Sequence, residues 1–225
     1  LTMDLGVLVM NGPRSRDVLA KLTDADLSNE GFRWLSGQEI VIAGIGMRAL
    51  RVSYAGELGW EIHSKTGDTA RVWDAVMAAG APLGLKPFGM FALNSLRVEK
   101  GYRAWKGDLS TDYTVLQGGL DRFVDWTKPE FRGKAALAAE KQAGVSKRFC
   151  TLVIDAGDFD PPYMSTIWHN GKVVGEVTSG YYGHRVGACI GLGMLRADLN
   201  VPGTVVEVEI FGTSHRAVVK EDAPL

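Results

Sequence analysis

Cysteine is scarce in this chain. Two occur among 225 residues, Cys150 and Cys189, far apart and without a Cys-x-x-Cys pair. That excludes a disulfide-stapled secreted scaffold and a cysteine zinc site, and makes reduced thiols the default. Excess charge of either sign is lacking too: 25 Lys and Arg stand against 26 Asp and Glu, a formal net charge of −1. A nucleic-acid binder usually carries a basic face, so that class is disfavoured. No apolar run approaches the roughly 18 residues that cross a bilayer. No secretory signal is expected from the first residues given, where Asp4 interrupts the apolar stretch. The four histidines, His63, His169, His184 and His215, show no HxH or HExxH spacing, so no metal site is expected. A phosphate-binding GxxxxGK[ST] loop is absent, and Gly44-Ile45-Gly46 lacks the third glycine of a dinucleotide fingerprint. A GxSxG nucleophile elbow is absent as well.

What remains is ordinary globular composition, 46% hydrophobic and 23% charged. The fold class expected is α+β followed by a small β-barrel. Leu5 to Met10 reads as a buried strand, Asn11-Gly12-Pro13 as a turn, and Arg14 to Leu22 as a helix with Val18, Leu19 and Leu22 on one face. In the loop that follows, Phe32, Trp34 and Leu35 are expected to pack inward. Strands over 39–43, 47–54 and 60–63 and a helix over 66–79 complete the order βαβββα. Along 47–54 neither face is wholly apolar, so one side of the sheet is free for a ligand or a second domain. Gly89 to Lys100 predicts an enclosed helix stopped by Gly101, and 131–142 another stopped by Gly144. The polar stretch 102–119 is as long as irregular segments become inside a compact domain, and such loops are usually functional. Beyond residue 145 short strands dominate, with a hairpin across Asn170-Gly171.

Two segments carry candidate chemistry. In Arg51-Val52-Ser53-Tyr54-Ala55-Gly56-Glu57-Leu58-Gly59-Trp60-Glu61, two glycines flank a carboxylate at a strand break. Glycine there permits a positive-φ turn and close approach of a planar ligand. An ionised carboxylate in such a nook accepts two parallel N–H bonds from an amidine-like edge. The competing reading is a plain hairpin with Glu57 exposed and Tyr54 structural. The second segment runs from Leu93 to Tyr102 and on to Gly107-Asp108-Leu109-Ser110. Arg97, on a helix expected to be enclosed, needs a partner, for which Asp108 and Glu99 are candidates, and a structural ion pair is the favoured reading.

Taken together, "RVSYAGELGWEIH", "LNSLRVEKGYRAWKGDLSTDYT" and "GGLDRFVDWTKPEFRGKAAL" resemble the glycine-cleavage T-protein (aminomethyltransferase) family, nearest to the folate-binding C-terminal region of dimethylglycine and sarcosine dehydrogenases. "GVLVMNGPRSRDVL" is similar to that family's internal strand–helix, and "GKVVGEVTSGYYGHRVGACIGLGML" to its C-terminal barrel. The resemblance implies part of a cloverleaf: residues 1–83 the second half of a ferredoxin-like α+β folate-binding lobe, 84–144 the second half of a middle lobe, and 145–225 the barrel. It implies tetrahydrofolate as cofactor and transfer of a one-carbon unit to it from a small methylamine or aminomethyl donor. Glu57 matches the glutamate that binds the pterin, and Tyr54 lies in the same motif. The family's acidic catalytic residue belongs to the portion expected ahead of Leu1, so no catalytic residue is assigned, and Asp4 precedes the wrong strand to stand in for it.

Departures bear on the folate tail. Leu93 stands where glycine-cleavage members carry a tail-binding Arg, and Phe211-Gly212-Thr213 occupies the stretch of a second one, with His215 and Arg216 nearby. The first residue is Leu1 rather than Met, and the chain is expected to be the C-terminal piece of a longer enzyme. The partners implied are an upstream domain or a separate subunit, with FAD only if an upstream dehydrogenase domain exists. The compartment implied is the bacterial cytoplasm or the mitochondrial matrix, with no nucleic-acid or membrane partner. The rival class is a folate-binding or scaffold module without catalysis.

Overall fold

In the computed structural model the described residues are 2–157 and 159–221. They form two compact units, Leu1–Leu93 and Asn94–Leu225, so the division falls inside one helix and within the expected middle lobe.

The first unit follows the expected order: β1 (Leu5–Asn11), α1 (Ser15–Leu19), β2 (Gly37–Ile42), β3 (Ile45–Leu50), β4 (Gly59–Lys65) and α2 (Thr66–Gly80). Its four strands make an antiparallel sheet in the order β1-β4-β3-β2. Met10, Met47, Ala49, Trp60 and Ile62 point to one face and share a core with Val18 and Leu19 of α1 and Val72 and Val76 of α2. α2 sits so close to β1 that a Cβ on Gly6 would lie 2.1 Å from Thr69 Oγ1. The opposite face carries Val7 and Val9 of β1, the His63–Glu61 contact (3.3 Å) and the exposed Arg48–Glu39 pair (2.8 Å).

Several expectations are corrected. β1 is not buried on both faces: Leu5, Val7 and Val9 are 45%, 45% and 43% exposed, because they lie on the sheet face opposite the core shared with α1 and α2. β3 ends at Leu50 rather than Tyr54, since Arg51 N donates to Ser36 O and Val52 N to Leu50 O, which turns the chain. Of the loop aromatics only Phe32 is buried; Trp34 and Leu35 are exposed at a turn where Leu35 takes φ 59°.

α3 (Met90–Glu99) is buried only over its last turn, at Arg97, Val98 and Glu99, and Phe91 is exposed, so the helix is not enclosed along its length. Gly101 ends it at φ 62°. An irregular stretch follows, then α4 (Lys134–Ala143), which Gly144 stops.

The remaining strands, β5 (Lys147–Ile154), β6 (Ser165–His169), β7 (Lys172–Gly183), β8 (Ala188–Arg196), β9 (Val205–Ile210) and β10 (Thr213–Lys220), close into a barrel ordered β10-β5-β8-β7-β6-β9. The β6–β7 hairpin turns at Asn170 and Gly171, both at positive φ, as a two-residue I′ turn requires. Leu152, Ile154, Val177, Val208 and Val219 fill the barrel core. Phe149, Ile190, Leu192 and Met194 project the other way and pack with Val98 and Tyr113. β8 is therefore covered on both faces, which explains its unbroken apolar run.

Candidate functional site

The Glu57 segment is an anchored loop between β3 and β4. At its entry, Arg51 donates from Nη1 to Phe32 O (2.6 Å) and from Nη2 to Asn29 Oδ1 (2.8 Å). At its exit, Leu58 O accepts from Gly12 N (2.8 Å) and Ser15 Oγ (3.0 Å). Between these anchors Ser53 Oγ accepts from Ala55 N at 3.3 Å, and Gly56 takes φ +70°. That conformation favours glycine, as the sequence suggested. The second glycine serves another end. A Cβ on Gly59 would lie 2.0 Å from Asn11 Oδ1 and 2.7 Å from Met10 O, so Gly59 allows β1 to close on β4. Glu57 is half-buried and Tyr54 is exposed at 36%. Both belong to the first unit and to one five-residue bend. Trp60 of β4 and Phe32 pack edge to face at 6.2 Å.

The second candidate segment is built differently. Arg97 is 3% exposed and Asp108 is fully buried, with Nη1 3.2 Å from Oδ2. Arg97 also donates to Asn94 Oδ1 (2.7 Å), Tyr102 O (3.0 Å) and Ser179 Oγ (2.8 Å). Asp108 accepts from Ala104 N (2.7 Å), Ser179 Oγ (2.9 Å) and Thr178 Oγ1. Desolvating this pair is offset by a nearly complete set of hydrogen bonds, as a buried ion pair demands. Its work is structural: it ties α3, the 102–109 loop and β7 together, and a fully buried Asp108 presents no oxygen to a ligand. Glu99, the other candidate partner for Arg97, instead accepts from Arg185 N at 2.7 Å and holds the β7–β8 turn.

Thr178 and Ser179 were not anticipated from sequence. Adjacent strand residues normally point to opposite faces, but β7 has a bulge between Val177 and Ser179 that lets both hydroxyls reach Asp108. Nothing in "VTSG" signals that shift. Asn11 was missed as well: both atoms of its side-chain amide are buried without a hydrogen-bond partner among the described residues. Near the stretch expected for a second tail contact, His215 Nδ1 lies 3.1 Å from Asp155 O and Arg216 is exposed. No cluster of three or more His, Cys, Asp or Glu able to hold a metal occurs among the described residues. No helix among them is long and apolar enough to cross a membrane.

A mixed α/β unit with a motif loop at its strand break is thus followed in the chain by a closed six-stranded barrel. The GCVT N-terminal domain family matches residues 1–128, and the glycine cleavage T-protein C-terminal barrel domain family matches 147–225. The chain belongs to the glycine-cleavage T-protein family. It is 40% identical over 223 residues to human mitochondrial dimethylglycine dehydrogenase, covering 99% of this chain and 26% of that protein. Against the aminomethyltransferase of Moorella thermoacetica it is 36% identical over 214 residues, 94% of this chain and 57% of that protein. The crystal structure of glycine cleavage system aminomethyltransferase T from Bartonella henselae superposes with a TM-score of 0.84 at 25% identity, covering 96% of this chain and 58% of that one. The chain thus spans about a quarter of the dehydrogenase and under three-fifths of the transferases.

Proposed function

We propose that this chain carries the folate side of a one-carbon transfer in which an aminomethyl or methylamine donor gives its carbon to tetrahydrofolate. The observation that carries the reading is the Glu57 bend: a half-buried carboxylate beside a positive-φ glycine, on a loop fixed at both ends. The 2-aminopyrimidine edge of a reduced pterin offers two parallel N–H donors, and an ionised carboxylate accepts both. The residues present fit that group. Glu57 would accept the paired N–H bonds, the Tyr54 ring would flank the pterin, and the anchors at Arg51 and Leu58 would hold the bend in one geometry. Bound folate would supply the nitrogen that accepts the one-carbon unit. The chain's own residues bind and orient it.

Kinship supports the same reading, since the relatives include aminomethyltransferases and the dimethylglycine and sarcosine dehydrogenases. An upstream domain or separate subunit would supply the electrophilic carbon, and FAD would belong there. The cytoplasm of a bacterium or the mitochondrial matrix is the compartment that fits these relatives. The test is turnover: tetrahydrofolate with an aminomethyl donor, whose carbon is already at the methylene oxidation level, following 5,10-methylenetetrahydrofolate; a methylamine would first need two-electron oxidation to its iminium by the FAD domain. Binding with transfer supports the proposal. Binding without transfer reduces the chain to a folate-binding module, and absence of both overturns it.

A further inference from the structure

Arg16 of α1 and Arg51, at the entry of the Glu57 bend, reach the same atom. Each donates from Nη2 to Asn29 Oδ1, at 2.8 Å in both cases, so the two Nη2 groups lie at most twice that distance apart. Among the described residues no carboxylate stands within ion-pair distance of either guanidinium. Two acidic residues near them in sequence are engaged elsewhere. Asp17 lies 3.5 Å from Arg14 Nε, and Asp26 Oδ1 accepts from Ser28 N at 2.9 Å. An amide oxygen has two lone pairs and no net charge. Asn29 therefore satisfies two N–H groups and balances neither positive charge, and like charges held this close repel.

The unused donors point to the same place. Arg16 Nε and Arg51 Nε are both buried without a hydrogen-bond partner among the described residues. Nε–H and one Nη2–H share an edge of the guanidinium and form the fork that takes a carboxylate or a phosphate. This chain uses that edge elsewhere: Arg196 holds both oxygens of Asp198, from Nε at 2.6 Å and from Nη2 at 3.0 Å. At Arg16 and Arg51 the edge is half filled, with Nη2 on Asn29 and Nε lacking an acceptor. Both arginines are half-buried and Asn29 is exposed, so the fork is reachable once the amide moves toward solvent.

We propose that Arg16 and Arg51 form a binding site for a phosphate-type dianion, and that Asn29 Oδ1 holds the place of one anion oxygen. Two guanidiniums match the charge of close to −2 that a phosphoryl group carries at neutral pH, which a single carboxylate does not supply. One anion oxygen replaces Asn29 Oδ1 between the two Nη2 groups, and the others reach the two Nε–H groups. The site uses neither Glu57 nor Tyr54.

The test titrates the 225-residue chain with inorganic phosphate at neutral pH and constant ionic strength, followed by NMR of the arginine Nε signals. Half-saturation is expected at about 1 mM, with the Arg16 and Arg51 signals moving together and that of Arg48, already paired with Glu39, unchanged. Acetate should bind at least tenfold more weakly. Methyl phosphate separates the sources. Affinity equal to that of inorganic phosphate assigns the site to the phosphoryl group of a larger ligand, and binding weaker by tenfold or more assigns it to the free ion. Asn29→Asp puts a carboxylate between the two guanidiniums, and should raise the urea midpoint and remove phosphate binding. Should that variant fail to fold, Arg16→Gln must weaken phosphate binding at least tenfold, and Asn29→Ala must bind it no more weakly than the parent. No movement at Arg16 and Arg51 up to about 10 mM phosphate overturns the proposal. So does undiminished binding by folded Asn29→Asp or by Arg16→Gln. Equal movement at Arg48 means an adventitious ion only and overturns it too. No folate enters the readout, so failure here leaves the folate reading standing, and the reverse holds.

Discussion

Arg97 and Asp108 form a buried ion pair, Nη1 to Oδ2 at 3.2 Å, and the two hydroxyls of Thr178 and Ser179 close around the carboxylate. Removing one partner of such a pair strands the other charge away from water. Asp108→Ala is therefore expected to cost about 3–5 kcal/mol of folding free energy, read as a lowered urea midpoint. Thr178→Val, which removes one hydrogen bond to the charged group, should cost about 1.5–3 kcal/mol. Equal stability of Asp108→Ala and the parent chain would show that the pair contributes nothing net.

The two glycines of the Glu57 bend separate by mechanism. Gly56→Ala places a Cβ on a residue at φ +70° and is expected to destabilise by about 1 kcal/mol, with Gly56→Asn milder because Asn tolerates that region. Gly59→Ala meets the backbone oxygen of Met10 at 2.7 Å, so β1 must shift, with an expected cost of about 1–3 kcal/mol. Thermal melts order the variants: Gly59→Ala lowest, then Gly56→Ala, then Gly56→Asn.

Alkaline stability follows from two raised pKa values. Burial pushes the Cys189 thiol up to about 12 from 9.0. Burial and the nearby Glu176 push the Tyr113 phenol up to about 12 from 10.0. In the unfolded chain both groups lose their protons first, so the folded state holds more protons between about pH 9 and 12. Their contribution is present below pH 9 and lost as pH rises through that window. Urea midpoints should fall steadily from pH 9 upward, and Cys189→Ala should flatten the first part of the decline. A midpoint independent of pH over this range would contradict the assignment.

Much of this architecture was legible in the residues because local signals and tertiary packing agree. Asn170-Gly171 marks its turn through two positive-φ positions, and Gly101 and Gly144 stop their helices through the same chemistry. The βαβββα order follows from periodicity. Hidden features depend on neighbours. β1 reads as a buried strand because its residues are apolar throughout, yet its burial is set by what packs on each face of the sheet: α1 and α2 share a core with one face, and Leu5, Val7 and Val9 lie on the other. Tyr54 and Val52 continue the alternation of β3, but the Arg51 N bond to Ser36 O and the local Val52 N bond to Leu50 O turn the chain and end that strand early. Arg97 was readable as a charge in need of a partner, whereas Thr178 and Ser179 were not, because a bulge decides where they point. At the candidate site the glycine–carboxylate pattern was visible, and the division of labour between Gly56 and Gly59 emerged only from the packing of β1 on β4.

The role given to Glu57 is tested most directly by calorimetric titration of tetrahydrofolate into the parent chain and into Glu57→Gln, with circular dichroism confirming that both are folded. An amide matches one of the two pterin donors and carries no charge, so Glu57→Gln should bind at least tenfold more weakly, a difference of about 1.4 kcal/mol. The same affinity in both proteins would contradict the account.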